Sequence, residues 1–467
     1  MNTFSLALRN LLRNRRRSFT TLLAMVIGAV AILIFGGYSG NINLGLQTGF
    51  VRDSGHLQIQ HKDYFLYGSG NPAAYGMKNY AQIVELVRND AVLKPLLNVV
   101  TPTLSLGGIA GNFNAGVSRT VIGHGVVVAE QNKMRLWNEY GFPQKPYQMA
   151  LTGSADNAVV IGTGVARVLQ LCEPLKVKNC PQSTEKPTGP AAPNDITDLS
   201  ALEAETDAKI QTANKSDASP RIELLAANVH GAPNVAGLDV VKAELHGVKE
   251  LDDISVLLHL AQAQKLVYGG DAPQATAIVL QLKRTADIAA AQRRLEQLLA
   301  NELKAENLEV HDFKTLNPSY GQITGMFGAI FGFISILIGA IVLFTVGNTM
   351  SMAVMERTVE IGTLRAMGVR RDGIRRLFVC EGLVLGLIGA ALGVVLALGL
   401  AYLINHAGLT WMPPGNSEPI ALTVRVWGET KMIVGTAVGL MLVAALSAWW
   451  PARRAAQMNI VDALRHV

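Results

Sequence analysis

The sequence predicts an α-helical membrane protein with four transmembrane helices and a large extracytoplasmic α+β domain inserted between helices 1 and 2. Three observations predict it. Four apolar stretches are long enough to cross a bilayer, which takes about 20 mostly apolar residues. They are Phe19–Tyr38, a part of the uncharged run Gln322–Val354, Leu383–Ile404 and Met432–Trp450. Residues 41–321 lie between the first two and carry both strand-like and helix-like apolar periodicity. Charged residues are only 16% of the chain, against about 25% in soluble domains, and the mean hydropathy is +0.27.

Arginine placement sets the orientation. Arg9, Arg13, Arg15, Arg16 and Arg17 precede the first span. Arg357, Arg365, Arg370, Arg371, Arg375 and Arg376 lie between the second and third, and Arg453, Arg454 and Arg465 follow the fourth. The other side holds only Arg52, Lys314, Arg425 and Lys431 near the spans. Cytoplasmic loops concentrate Lys and Arg, so both termini and the middle loop of this multi-pass protein are expected in the cytoplasm. Trp411 and Trp427 then mark the outer interface, and Trp449 and Trp450 the inner one. The net charge of +6 reads as topology and contact with membrane lipid, with no nucleic acid as partner.

The first span follows a basic flank, but its apolar part exceeds the 7–15 residues of a signal-peptide core, so an uncleaved anchor is expected. Residues 1–18 are expected as a cytoplasmic amphipathic helix. Phe4, Leu8, Leu11 and Leu12 share one face, and Arg9, Arg13 and Arg16 lie away from it. Such a helix rests among anionic headgroups; the alternative is a plain basic flank. Transmembrane helix 1 is 19–40. Helix 2, with a stalk, is 322–355, helix 3 is 379–404 and helix 4 is 432–451. A cytoplasmic segment fills 356–378, an outer loop 405–431 and a cytoplasmic tail 452–467.

Within 41–321, the segment Gly55–Gln60 alternates as a strand does, and Ala81–Arg88 reads as a helix before an apolar run at Leu96–Leu106. Later, Ala275–Lys283 reads as a strand. Ile288, Ala291, Leu295, Leu298, Leu299 and Leu303 share a helical face, and Leu308–Phe313 reads as another strand. Strand–helix–strand units on either side of a middle region predict a two-part domain. Its outer part is 41–125 with 271–321, and its inserted subdomain is 126–270. The stretch 181–220 is rich in Pro, Ser, Thr, Asn, Asp, Ala and Lys and is expected as a long mobile loop.

Chemistry of the common kinds is missing. No Gly-Lys dipeptide occurs, so there is no Walker A loop for nucleotide phosphates. There is no H-E-x-x-H, no C-x-x-C and no G-x-S-x-G. His56 and His61 are an odd number of residues apart, which puts them on opposite faces of a strand and argues against a shared metal. No catalytic residue, metal or cofactor is expected. Cys172 and Cys180 both lie in the outward region, where an oxidising compartment permits a disulfide; the alternative is two unrelated thiols. Cys380 reads as a small packing residue.

The segment 356–378 is the most informative. Glu356, Glu360 and Thr363 fall three or four apart on one helical side, with Val359, Leu364 and Met367 offering apolar contact. Gly368 is placed to end the helix. A short amphipathic helix at the foot of two spans can dock into a partner's groove; the alternative is an ordinary charged connector. In the third span Gly382, Gly386, Gly389 and Gly393 recur every three or four residues, a spacing that lets helices approach closely. Glu381 opens that span, where a helix N-terminus would favour its charge.

Several stretches together resemble the FtsX/MacB/lipoprotein-release (LolC/LolE-like) permease superfamily of type VII ABC transporters. They are Glu356-Arg357, Glu360-Ile361-Gly362-Thr363-Leu364-Arg365-Ala366-Met367-Gly368, Glu381-Gly382, Pro451-Ala452-Arg453-Arg454-Ala455-Ala456 and Val461-Asp462-Ala463-Leu464-Arg465, with the opening Leu8–Arg17. The outward blocks Val159–Ala166, Asn234–Val241 and Leu257–Val267 are similar more loosely. The resemblance implies that the outward domain is MacB-like, its 41–125 and 271–321 parts porter-like. It implies that Glu356, Arg357, Glu360, Thr363, Leu364, Met367 and Gly368 couple to a separate ABC ATP-binding subunit, and that a second permease subunit completes a homodimer or heterodimer. It also implies mechanotransmission: ATP hydrolysis in the partner moves the outward domains, and the chain itself is no enzyme. The opening of the outward domain, Gly55–Tyr64, is closer to lipoprotein-release members. Release or transfer of lipoproteins or other hydrophobic envelope cargo, with a periplasmic carrier, is therefore the leading expectation. The alternatives are tripartite efflux with an adaptor, or FtsX-like control of cell-wall hydrolases. The chain departs from MacB in carrying no fused ATPase, and its 181–220 stretch is unusual for the family.

Overall fold

The computed structural model describes residues 9, 13, 15–142, 148–178, 180, 220–246, 248–412 and 419–460. Two thirds of the expected 1–18 helix, all of the 181–220 loop but Pro220, and the tail motif at 461–465 lie outside the described residues. In chain order the main elements begin with α1 (Arg15–Ser54), β1 (Leu57–His61), α2 (Tyr80–Asn89), β2 (Leu97–Asn112), β3 (Val117–Val126), α3 (Val128–Arg135), β4 (Ala158–Gly162) and α4 (Thr163–Val168). Next come β5 (Arg221–Ala227), β6 (Pro233–Glu244), β7 (Ser255–His259), α5 (Leu260–Tyr268), β8 (Ala277–Leu282), α6 (Ile288–Asn301) and β9 (Leu308–Asp312). Then follow α7 (Pro318–Glu356), α8 (Thr358–Ala366), α9 (Arg371–His406) and α10 (Thr430–Gln457). They form two units, one made of 1–46, 319–411 and 419–467, the other of 47–318 and 412–418.

In the helical unit, α1, α7, α9 and α10 are long and apolar enough to cross a membrane. The helices outrun the expected spans. α1 has 40 residues and α7 has 39; at about 1.5 Å per residue each approaches 60 Å, twice the apolar thickness of a bilayer. Residues 41–54, assigned from the sequence to the outward domain, continue α1 as helix. Met25, Ala29, Val342, Val346, Leu385, Leu440 and Ala444 form the centre of the bundle. Its outer surface is apolar, with Phe333, Ile336 and Phe344 all exposed. Water would penalise that surface and hydrocarbon would not.

The four glycines of α9 sit at two crossings. A Cβ on Gly382 would lie 2.7 Å from Ala448 Cβ, and one on Gly386 3.1 Å from Met441 Cα, both on α10. A Cβ on Gly389 would meet Met25, and one on Gly393 would come within 2.4 Å of Ala29 Cβ, both on α1. Backbone contact this close requires residues without a side chain. A hydrogen bond from Thr21 Oγ1 to Thr349 Oγ1 (2.8 Å) adds a polar tie between α1 and α7.

The second unit is α+β. The first half of β2 pairs with β8, β8 with β1 and β1 with β9, all antiparallel. α2 connects β1 to β2 and α6 connects β8 to β9, which makes a split β-α-β sheet. Apolar residues at helical spacing, Ile83, Val84 and Val87 on α2 and Ala291, Leu295 and Leu298 on α6, bury against Leu57, Ile59, Ile278 and Leu280. Asp90 ties the two helices: its Oδ2 accepts from Arg294 Nη2 at 2.6 Å, and its Oδ1 accepts the N–H groups of Val92 and Leu93. The Arg294 hydrogen bond, first, and those two N–H groups hold the Asp90 carboxyl below the usual carboxylate range. Leu57, the first residue of β1, pairs with Asp312, the last of β9. The chain therefore enters and leaves this sheet at neighbouring strand ends.

The second half of β2 pairs with both β3 and β5, and the strands β2, β3, β7, β4, β6 and β5 close on themselves. Closure leaves no open edge. The expected boundary at 125/126 thus falls differently. β3 and the second half of β2 belong to the closed ring, because β2 runs unbroken through 16 residues and serves both sheets. Gly162 and Gly164, in one of the blocks that carry the resemblance, let the end of the short helix Lys249–Asp252 press in; a Cβ on Gly162 would clash with the Asp252 carbonyl and one on Gly164 with the Asp253 carboxylate. Cys172 and Cys180 are joined in a disulfide, and Cys380 is a free, half-buried thiol.

Gly55 (φ +73°) ends α1 against Val279 and Leu280. The next residue, His56, is fully buried. Its Nδ1 accepts the Leu282 N–H at 3.0 Å, its Nε2 lies 3.2 Å from Thr285 Oγ1, and its ring meets Trp137 edge-on at 5.0 Å. Burial pushes its pKa down to about 4, from an ordinary value of 6.5. The unfolded state therefore binds more protons than the folded state between those two values. The His56 contribution is complete above pH 6.5 and declines as pH falls toward 4. At pH 5 the loss should be about 2 kcal/mol. We expect the Leu282 amide of the full chain in detergent, corrected for intrinsic exchange, to lose about thirty-fold of its protection between pH 7.5 and 5. His56→Gln should remove most of that dependence; an equal loss in both proteins would contradict the assignment.

Candidate coupling site at the foot of the helical bundle

The site is built where α7 ends. Glu356 is the last residue of α7, Arg357 is the N-cap of α8, and α8 runs only from Thr358 to Ala366. Gly368 stops it. With φ +97° it occupies a backbone region that favours glycine. Its N–H donates to Arg365 O and the Val369 N–H donates to Leu364 O, the reciprocal pair of a Schellman cap. α9 starts at Arg371, with Arg370 as its N-cap.

The inner face of α8 is fixed to the bundle. Ile361 joins Val354, Ile374, Phe378, Ala452, Ala455 and Ala456 in an apolar cluster, with Leu364 packed on its side. Arg357 is 9% exposed. Its Nη1 donates to Glu381 Oε1 at 3.0 Å and its Nε to Glu360 Oε2 at 3.0 Å, while its guanidinium lies over the Phe378 ring. Glu360 also accepts from Arg13 Nη2. Burial alone would raise the Glu360 pKa, but the hydrogen bonds from Arg357 and Arg13 hold the carboxyl below its ordinary value. At the other end of α8, Arg365 Nη1 donates to Ala456 O (3.1 Å) and Met458 O (2.7 Å). Those carbonyls close the C-terminus of α10, where a helix leaves acceptors unfilled.

Three sequence expectations change here. Glu381 does not open a helix: α9 begins ten residues earlier, so the charge is neutralised by Arg357 and owes nothing to a helix N-terminus. Arg357 and Leu364, grouped with the docking residues, turn inward and hold α8 in place. Val359 takes the outward position expected of Leu364, one turn of helix before Thr363. The outward face comprises Met355, Val359, Thr363 and Met367, flanked by Glu356 and Glu360; Met367 is 69% exposed and Val359 46%. The i, i+4 spacing from Val359 through Thr363 to Met367 was available in the sequence. The pairing of Arg357 with Glu381, 24 residues apart, was not.

Residues 329–460 match the family described as FtsX-like permease C-terminal. This part of the chain is an FtsX-like permease domain. The chain is similar to curated ABC transporter permeases from several organisms. An uncharacterized ABC transporter permease of Methanocaldococcus jannaschii is 29% identical over 217 residues, 46% of this chain and 51% of the relative. The ABC transporter permease YtrF of Bacillus subtilis is 36% identical over 142 residues, 30% of this chain and 32% of the relative. The macrolide export ATP-binding/permease protein MacB of Escherichia coli is 29% identical over 195 residues, 41% of this chain and 28% of the relative. The chain thus spans about half or less of the curated relatives it matches. A crystal structure of the periplasmic region of MacB from Actinobacillus actinomycetemcomitans aligns with 58% of this chain and 94% of its own, at 11% identity and a TM-score of 0.28.

The buried ion pair gives a direct test of the permease domain's foot. Removing one member leaves a buried charge alone, which costs about 3–5 kcal/mol, whereas replacing both with apolar residues is often near neutral. We expect Arg357→Met to lower the thermal midpoint of the detergent-solubilised chain strongly. Arg357→Met with Glu381→Leu should recover most of the loss. Additive losses in the double variant would show that the two residues act separately.

Proposed function

We propose that this chain is the permease subunit of an ABC transporter, not itself an ATPase, with both termini and α8 on the cytoplasmic side of a bacterial inner membrane. α8 presents Val359, Thr363 and Met367 to a groove of a separate ATP-binding subunit, with Glu356 and Glu360 at the rim. The observation that carries this reading is the outward apolar stripe on a helix whose other face is clamped by Arg357 and Arg365. A helix exposed and mobile could bind a partner, but only a clamped one transmits its movement to α9 and α10. ATP binding acts on the permease only through differential contact with two of its states. The mechanism is mechanotransmission, in which movement of α1 and α7 reaches β1 and β9, the neighbouring strands to which they lead. A second permease subunit completes the assembly.

The cargo is proposed as lipoprotein or another hydrophobic envelope component passed to a periplasmic carrier; the likeness of Gly55–Tyr64 to lipoprotein-release members supports it. Efflux with a periplasmic adaptor is the second reading, favoured by relatives whose name is macrolide export protein.

Met367→Glu places an unpaired charge in an apolar contact, a cost of several kcal/mol. We expect the ATP-binding subunit to co-purify at least ten-fold less with this variant or with Val359→Glu, while both chains insert and melt as the unmutated protein does. Glu360→Gln should weaken the contact less, since exposed ion pairs contribute about 0–1 kcal/mol. Unchanged co-purification with Met367→Glu and Val359→Glu would reduce α8 to a connector and remove the main support for the assignment.

A further inference from the structure

We propose that the permease domain carries a binding site for an anionic glycerophospholipid of the cytoplasmic leaflet, in a groove between α7 and α10 beside the start of α1. The groove has a volume of about 930 Å³ and includes Leu343, Phe344, Asn348, Ser351, Leu446 and Trp450 in its lining. The inference rests on the proposed orientation, but its readout is independent of ATPase docking.

The groove is graded along its length. Leu343, Phe344 and Leu446 form its deeper part, suited to acyl chains. One turn nearer the cytoplasm on α7 stands Asn348, whose side chain is exposed and has no hydrogen-bond partner among the described residues. An amide exposed to hydrocarbon is costly, and the ester carbonyls of a glycerolipid lie at the depth where it would be satisfied. The neighbouring hydroxyls of Thr345, Thr349, Ser351 and Ser447 instead donate to carbonyls of their own helices. Trp449 and Trp450 form the rim, at the level where indole rings favour the interface. Just beyond it, Arg453 lies over the Trp449 ring (5.8 Å) and Arg454 over the Trp450 ring (5.5 Å). Both arginines are exposed and form no ion pair among the described residues. The ring contacts hold both guanidinium groups at the rim, and their N–H forks are suited to a phosphate. Apolar wall, single amide, indole rim and paired cations thus follow the order of chains, esters, interface and phosphate in a phospholipid.

The test is native mass spectrometry of the full chain released from detergent in the presence of phosphatidylglycerol or phosphatidylcholine with identical acyl chains. Cations beside an anionic headgroup favour it over a zwitterionic one, so the chain should retain phosphatidylglycerol about ten-fold better. Arg453→Gln with Arg454→Gln should abolish that preference, and Arg453→Lys with Arg454→Lys should keep much of it. Asn348→Leu should weaken retention of both lipids. Equal retention of the two lipids by the unmutated chain would overturn the proposal. So would Asn348→Leu shifting the chain between monomer and dimer at unchanged lipid retention, which would make the groove an interface between copies.

Discussion

The permease domain depends on one buried charge. Arg357 is placed between α7 and α8, out of reach of bulk water, and a guanidinium cannot shed its proton there. It must be paired, and Glu381 on α9 and Glu360 on α8 pair it. That requirement fixes α8 against α9. Arg365 fixes its other end by filling the terminal carbonyls of α10. The glycines of α9 complete the arrangement by drawing α10 and α1 to backbone contact. Short-range packing around Ile361 and Phe378 then leaves one stripe of α8 unburied.

The α+β unit solves a different problem. Its nine-stranded sheet would be wide and exposed if it stayed flat. One long strand, β2, lets half of it pack under two helices while the other half closes into a ring. His56 is held in the interior as a neutral acceptor for a backbone N–H. The unit therefore has its own core, and its incoming and outgoing chains meet at β1 and β9.

Much of this was legible because each unit advertises itself through periodicity. Four apolar runs announced four long helices, and the alternation at Gly55–Gln60 and the helical stripe of Ile288–Leu303 located the split sheet. Gly368 gave the end of α8 from its place alone. The closed ring was not legible: β2 is a single run, and nothing local says that its two halves pair with different strands. The placement of Arg357 and Leu364 and the setting of Glu381 were not legible for a related reason. A charged residue in a connector and a carboxylate at the edge of a span look like surface features until the partner across the bundle is known. Leu364 and Val359 are both apolar and five residues apart, so periodicity offered two faces and tertiary packing chose between them.

In the proposed function the exposed stripe of α8, and not its clamped face, meets an ATP-binding subunit. The most direct measurement is photo-crosslinking in intact membranes from a benzophenone side chain placed at Val359 or Met367, and separately at Ile361, with the captured protein identified by mass spectrometry. Docking by the exposed stripe predicts capture of a nucleotide-binding ABC subunit from Val359 and Met367 and none from Ile361. No such subunit from either outward position, or equal capture from Ile361, would contradict it.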